Sequence, residues 1–136
     1  MSLERFTEAQ EGTWPQALAE LRAGRKTSHW MWFVLPQLRG LGQSAMAQRY
    51  GIEGLAEARD YLAHPVLGPR LQEAAEALLA QPDDDPVRVM GQVDAMKLRS
   101  CATLFEAAGG GPVFPALLER FFGGERCPKT LEMLER

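Results

Sequence analysis

Apolar residues recur at three- and four-residue spacing along most of the chain, in short runs broken by glycine and proline. Leu3, Phe6 and Ala9 mark a first helix over residues 3–11, with Ser2 placed to cap it. Trp14, Leu18 and Leu21 mark a second, opened by Thr13 and Pro15 and ended by Gly24. After the basic turn 25–28, residues 29–35 (HWMWFVL) are apolar on every side until Pro36 stops them. That pattern means burial all round but does not separate helix from strand. Further helices are expected over 44–50, 55–63, 68–80, 93–108, 112–122 and 130–134. His64-Pro65 separates two of them, because proline drives the preceding residue out of helical geometry. Residues 81–86 (QPDDDP) read as a polar surface loop. Period-two alternation is brief and β-branched residues are few. The expectation is an all-α fold, a single compact domain of residues 1–136 with about seven to nine short helices.

Composition supports one packed domain. The chain has 136 residues, of which 46% are hydrophobic and 24% charged, too apolar for disorder and long enough for a core without staples. A net charge of -3 argues against unspecific binding to nucleic acid or anionic membrane, which wants a basic face. The longest nearly unbroken apolar run, residues 30–35, is far short of the roughly 20 residues of a membrane helix. The first five residues lack the basic-then-apolar order of a secretory signal. Cys101 and Cys127 stand in no C-x-x-C or Cys/His cluster. They read as free thiols in a reducing compartment, so the expected location is the cytoplasm, with no metal and no cofactor. Asp83-Asp84-Asp85 lacks the glycine and glutamate of a calcium loop.

Three groups of residues could carry chemistry. The first lies on the helix 93–108. With Val93 at the origin of a helical wheel, Lys97 falls at about 40°, inside an arc shared by Leu104, Cys101 and Phe105. Asp94, three residues earlier, is close enough to pair with it. An inward ammonium is either a structural pair or snorkelling stem, or a charge at the floor of a pocket for an anion or carbonyl. Ser100 and Thr103 share that helix. The second group is Lys26, Ser28, His29, Trp30 and Trp32, with Gln37 just beyond. It joins cationic donors, an imidazole and two indoles, although the aromatics serve equally well as core. The third is Tyr61, His64 and Arg70. His64 is placed to cap the last carbonyls of one helix, and Arg70 sits in the unfavourable first turn of the next, so it should reach for a carboxylate or a ligand.

The same stretches carry a family resemblance. They include Arg5-Phe6, Ala9-Gln10, residues 24–33 (GRKTSHWMWF), Pro36-Gln37, residues 40–42 (GLG), Tyr61-Leu62, His64-Pro65, Leu67-Gly68, Asp94, Lys97, Ser100 and residues 103–105 (TLF). Through them the chain resembles a bacterial family of unknown function, number eighteen-ten of that series, whose members are sometimes labelled "calpastatin". Cys101-Ala102 departs from the Ser-Met pair expected there. The resemblance implies a mostly helical, cytoplasmic bacterial protein and no particular activity. The break at residues 61–65 (YLAHP) also looks like one in a helical family that cleaves N-glycosidic bonds of ribose compounds, which suggests a phosphorylated ribose as ligand.

The expected site is a small pocket between the turn 26–32 and the helix face Asp94–Thr103, taking a small anionic, nucleotide- or ribose-like metabolite. If it hydrolyses its ligand, His29 or Asp94 serves as acid or base while Lys97 and Lys26 offset negative charge. The alternative is a non-enzymatic domain that binds a protein or has only a structural role. The oligomeric state is left open.

Overall fold

A computed structural model describes residues 2–135. Among them are ten α-helices and no strand, folded as a single domain: α1 (Glu4–Glu11), α2 (Trp14–Ala23), α3 (Met31–Val34), α4 (Ala45–Arg49), α5 (Leu55–Ala63), α6 (Leu67–Leu79), α7 (Pro86–Met90), α8 (Gln92–Ala107), α9 (Val113–Phe122) and α10 (Pro128–Leu134). The ambiguous segment 29–35 forms one helical turn, α3. Its side chains, Trp32 excepted, are buried because the core surrounds it. The helix that periodicity missed is α7. Asp85 caps it by accepting from the Val87 and Arg88 amides at 2.9 and 3.4 Å, and Pro86 opens it. Two of the three consecutive aspartates thus have structural work, since Asp83 also holds Arg88 at 2.9 Å.

Helix α8 is the axis of the molecule, packed against α5, α7, α9 and α10. Its second half is buried on all sides from Ser100 to Phe105. A string of aromatic rings runs through the core from α1 to α9: Phe6–Tyr61, Tyr61–Phe105 and Phe105–Phe114, at 5.1, 5.4 and 5.7 Å between centroids. Each such contact adds about 0.5–1.5 kcal/mol to the area it buries. Gly24 ends α2 in the left-handed conformation, φ 72°, as its place in the pattern predicts. Gly68 lets α6 start hard against the end of α5, where a Cβ would stand 2.2 Å from the Leu62 carbonyl oxygen.

Two irregular segments are held firmly. Residues 37–39 pair with Ile52, which donates to the Gln37 carbonyl and accepts from the Arg39 amide, both at 2.9 Å. Arg5 binds Glu57 at 2.8 Å while donating to the Arg49 and Gly51 carbonyls, and so locks the other end of that loop. The turn after α2 is tied down by the Lys26 amide, which donates to the Val89 carbonyl at 2.8 Å. None of the helices among the described residues is long and apolar enough to cross a membrane.

Candidate functional site

The turn 25–30 and the start of α8 meet directly, through side chains that pair with one another. The Lys26 ammonium contacts Asp94 Oδ2 at 2.7 Å, donates to the Ser28 carbonyl at 2.6 Å and lies 4.9 Å from the Trp30 ring centre. Asp94 Oδ1 takes the Lys97 ammonium at 3.4 Å, and Lys97 in turn lies 4.9 Å from the Trp32 ring centre. Two ammoniums therefore share one carboxylate, each backed by an indole. That is a favourable arrangement for partly desolvated cations. A lysine ammonium thus lies against each of the two indoles. Beside Trp32 and Lys97 lies a cavity of about 10 Å³, room for one water at most.

Behind this chain of charges sits a residue that the sequence pattern gave no reason to single out. Glu20, on α2, is buried and accepts from the Thr27 amide at 2.8 Å, the Ser28 amide at 3.0 Å, the Trp30 indole N–H at 2.9 Å and the Gln16 amide at 2.9 Å. The Ser28 hydroxyl donates to it as well. Burial pushes this carboxyl up, but the Ser28, Gln16, Thr27 and Trp30 donors outweigh it and hold Glu20 well below the usual carboxylate range. Ser28 and Trp30 are therefore structural here. Only their convergence on one acceptor reveals Glu20, and sequence spacing does not carry that.

The other expected residues scatter. His29, in the same turn, is exposed to solvent and away from Lys97's groove, so it is not placed as an acid or base there. Asp94 has both oxygens in ion pairs. Tyr61 is fully buried and its hydroxyl accepts from Gln10 at 3.2 Å; burial pushes that phenol up. Arg70 meets no carboxylate among the described residues: it donates to Gln10 at 3.3 Å and lies over Trp14. His64 ends α5 through its backbone, whose amide donates to the Tyr61 carbonyl at 3.2 Å, but its imidazole does not cap the carbonyls there. Its Nδ1 accepts from the Val66 and Leu67 amides at 3.1 and 3.2 Å and so starts α6 instead. Thr103 is buried, with its hydroxyl donating to the Arg99 carbonyl at 2.8 Å and accepting from the Cys127 amide at 3.0 Å.

An open groove of about 650 Å³ lies on the other side of Lys97. Its walls are the outer face of α8 (Val93, Met96, Lys97, Ser100), the loop with Gln37, Leu41 and Gly42, and the start of α10 (Cys127, Pro128, Lys129, Glu132). Val93 and Met96 are 68% and 62% exposed. This corrects the helical wheel. The first half of α8 buries Ala95 and Leu98, at about 200° and 140° from Val93, so the arc through Val93 faces the groove. Lys97 is at the edge between the two faces. Helix α8 carries two apolar stripes, and the sequence reading merged them.

The groove has a cationic rim. Lys97 and Lys129 face Glu132, which is itself engaged. Arg99 is held loosely, 3.8 Å from the exposed Glu125. At the floor the Ser100 hydroxyl reaches the Met96 carbonyl at 3.2 Å and the Cys127 sulfur at 3.4 Å. Burial pushes the Cys127 thiol up, but the Ser100 and Thr130 groups and the Arg99 charge outweigh it, leaving the thiol below its ordinary value. Cys101, one residue from Ser100 but facing the core, is pushed far up by burial alone. Among the described residues no cluster of histidine, cysteine and acidic side chains could hold a metal ion.

Comparison with known proteins agrees with the fold and names no activity. The conserved hypothetical protein Rv1873 from Mycobacterium tuberculosis is 44% identical in a solved structure, with a TM-score of 0.96 over 98% of this chain and 96% of that one. Among proteins of curated function, none matches the chain. The profile of the family described as "Protein of unknown function (DUF1810)" matches residues 1–134, and the chain belongs to that family.

Proposed function

We propose that this protein is a binding domain whose groove beside α8 takes a small anionic molecule with an apolar body. The observation that carries this reading is an apolar wall with amide and ammonium side chains lining the same groove. Val93, Met96, Leu41 and Pro128 supply the wall, while Gln37, Lys97 and Lys129 supply the donors. A volume of about 650 Å³ lies in the range of small-molecule sites, roughly 300–1,000 Å³. Lys97 shares its carboxylate with Lys26, so its charge is only partly offset toward the groove. A nucleotide-like ligand would bind by its phosphate and hydrocarbon edges, since Trp30 and Trp32 do not line the groove. Hydrolysis has no support in the geometry, with His29 outside the groove and Asp94 doubly paired.

Titration with anilinonaphthalene sulfonate, an apolar anionic dye, tests the proposal. Bound dye should raise the melting point, as any ligand selective for the folded chain must. Replacing Lys97 by Met and Lys129 by Gln together should weaken binding roughly tenfold, about 1.4 kcal/mol. Equal affinity in the double variant would reject the site. The exposed Val93 and Met96 favour one second reading, a protein segment lying on the same wall. It predicts that small anions leave the melting point unmoved while Val93→Arg abolishes a protein contact.

A further inference from the structure

We propose, resting on the groove reading above, that the anion taken there is a straight-chain monocarboxylate, a fatty acid of medium length rather than a phosphorylated compound. The charges around the groove call for one negative charge. Lys26 and Lys97 hold the two oxygens of a single carboxylate, Asp94, so that trio keeps one positive charge in excess. Lys129 is matched in number by Glu132 on the same rim, and Arg99 by Glu125 at 3.8 Å. Taken together, four cations stand against three carboxylates. That excess suits a monoanion. A phosphate monoester carries close to two charges at neutral pH, and the second would enter the groove without a cation of its own. An unpaired charge partly withdrawn from water is costly.

The lining also sets the direction of the ligand. Gln37 and Lys97 line both the groove and the cavity of about 10 Å³ beside Trp32, so they stand where the two spaces adjoin. An amide and an ammonium there can each donate to one oxygen of a carboxylate. The cavity beyond them holds a water at most, which leaves no room for the rest of the ligand. The body must therefore extend the other way, along Val93, Met96, Leu41 and Pro128.

That wall selects a hydrocarbon chain. Among the described residues lining the groove none is aromatic, so nothing there stacks on a base. A sugar's hydroxyls would lose water on the wall and gain little from it, since the Ser100 hydroxyl is already bonded to the Met96 carbonyl at 3.2 Å. A hydrocarbon makes no such demand. It takes the exposed Val93 and Met96 side chains out of water, and the thioether of Met96 can follow a flexible chain.

The test is displacement of anilinonaphthalene sulfonate from the full chain, with affinities checked by calorimetry. The competitors are hexanoate, octanoate and decanoate below their micelle concentrations, neutral octanamide, and adenosine monophosphate. At neutral pH the fatty acids are ionised. Affinity should rise about two- to fourfold with each added methylene. Octanoate should bind roughly tenfold tighter than octanamide, and Lys97→Met should remove most of that gap while leaving the dependence on chain length. Adenosine monophosphate should displace little dye. The octanoate–octanamide comparison needs no variant, so it decides the point even if Lys97→Met fails to fold. Equal affinity for the two, affinity independent of chain length, or adenosine monophosphate binding more tightly than octanoate overturns the proposal. Dye that binds in the groove and yields to no carboxylate overturns this ligand class alone, whereas a chain that binds neither dye nor carboxylate overturns the groove reading with it.

Discussion

Two regions meet on the first turns of α8, and they use charge in opposite ways. On the Asp94 side, Glu20, Ser28, Trp30, Lys26 and Asp94 form a closed network in which each named polar group has a partner. On the Val93 side, Lys97, Gln37 and Lys129 border an apolar groove open to solvent. The closed region holds the residue types most often associated with chemistry, yet it fixes the backbone. The open one is lined largely by ordinary residues, valine, methionine and proline. Residue type alone does not separate the two; what separates them is whether the polar groups are enclosed with one another or border an open apolar wall.

The largest effect expected on the closed side comes from Glu20. Glu20→Ala removes the acceptor of buried donors and should cost about 3 kcal/mol or more, read from chemical denaturation. Asp94→Asn follows closely, since it leaves the mostly buried Lys26 ammonium without its counter-charge; about 2–4 kcal/mol is expected. The same region predicts a pH dependence. Glu20 is depressed in the folded chain, so its contribution is complete above the ordinary carboxylate value of 4.5 and is lost as pH falls below it. Melting points measured downward from neutral pH should drop, and Glu20→Gln should flatten that drop. A slope unchanged in the variant would show that another acidic group governs it.

Effects on the open side should spare stability. Lys97→Met removes a partly exposed ammonium held at 3.4 Å, so stability should change by about 1 kcal/mol or less while dye affinity falls. A loss of 3–5 kcal/mol would instead make Lys97 part of the closed network. His29→Ala should be the smallest change of all, within about 0.5 kcal/mol and without effect on binding, because the side chain is exposed.

Much of the fold is legible in the sequence because helix boundaries are written in local chemistry. Gly24 and His64-Pro65 mark ends that local rules can find. The short α7 was hidden because Asp85-Pro86 reads equally as the end of a turn and the start of a helix. The site was less legible. Lys26, Asp94 and Lys97 could be grouped, but their partners could not: Glu20 lies on another helix, and its role exists only once α2, the turn and α3 converge. The groove was obscured for a different reason. A helical wheel assumes one buried face along a helix, and α8 changes its exposure midway, from two apolar stripes in its first half to burial all round in its second. Cys127 acquires its setting from Ser100 and Arg99, more than twenty residues away in sequence.

Amide chemical-shift mapping during a titration with anilinonaphthalene sulfonate tests the groove most directly. Shifts concentrated at residues 37–42, 93–100 and 127–132, with residues 20–30 nearly still, are the predicted result. Shifts centred on His29 and Trp30, or spread evenly over the chain, would contradict the division between a closed network and an open binding face.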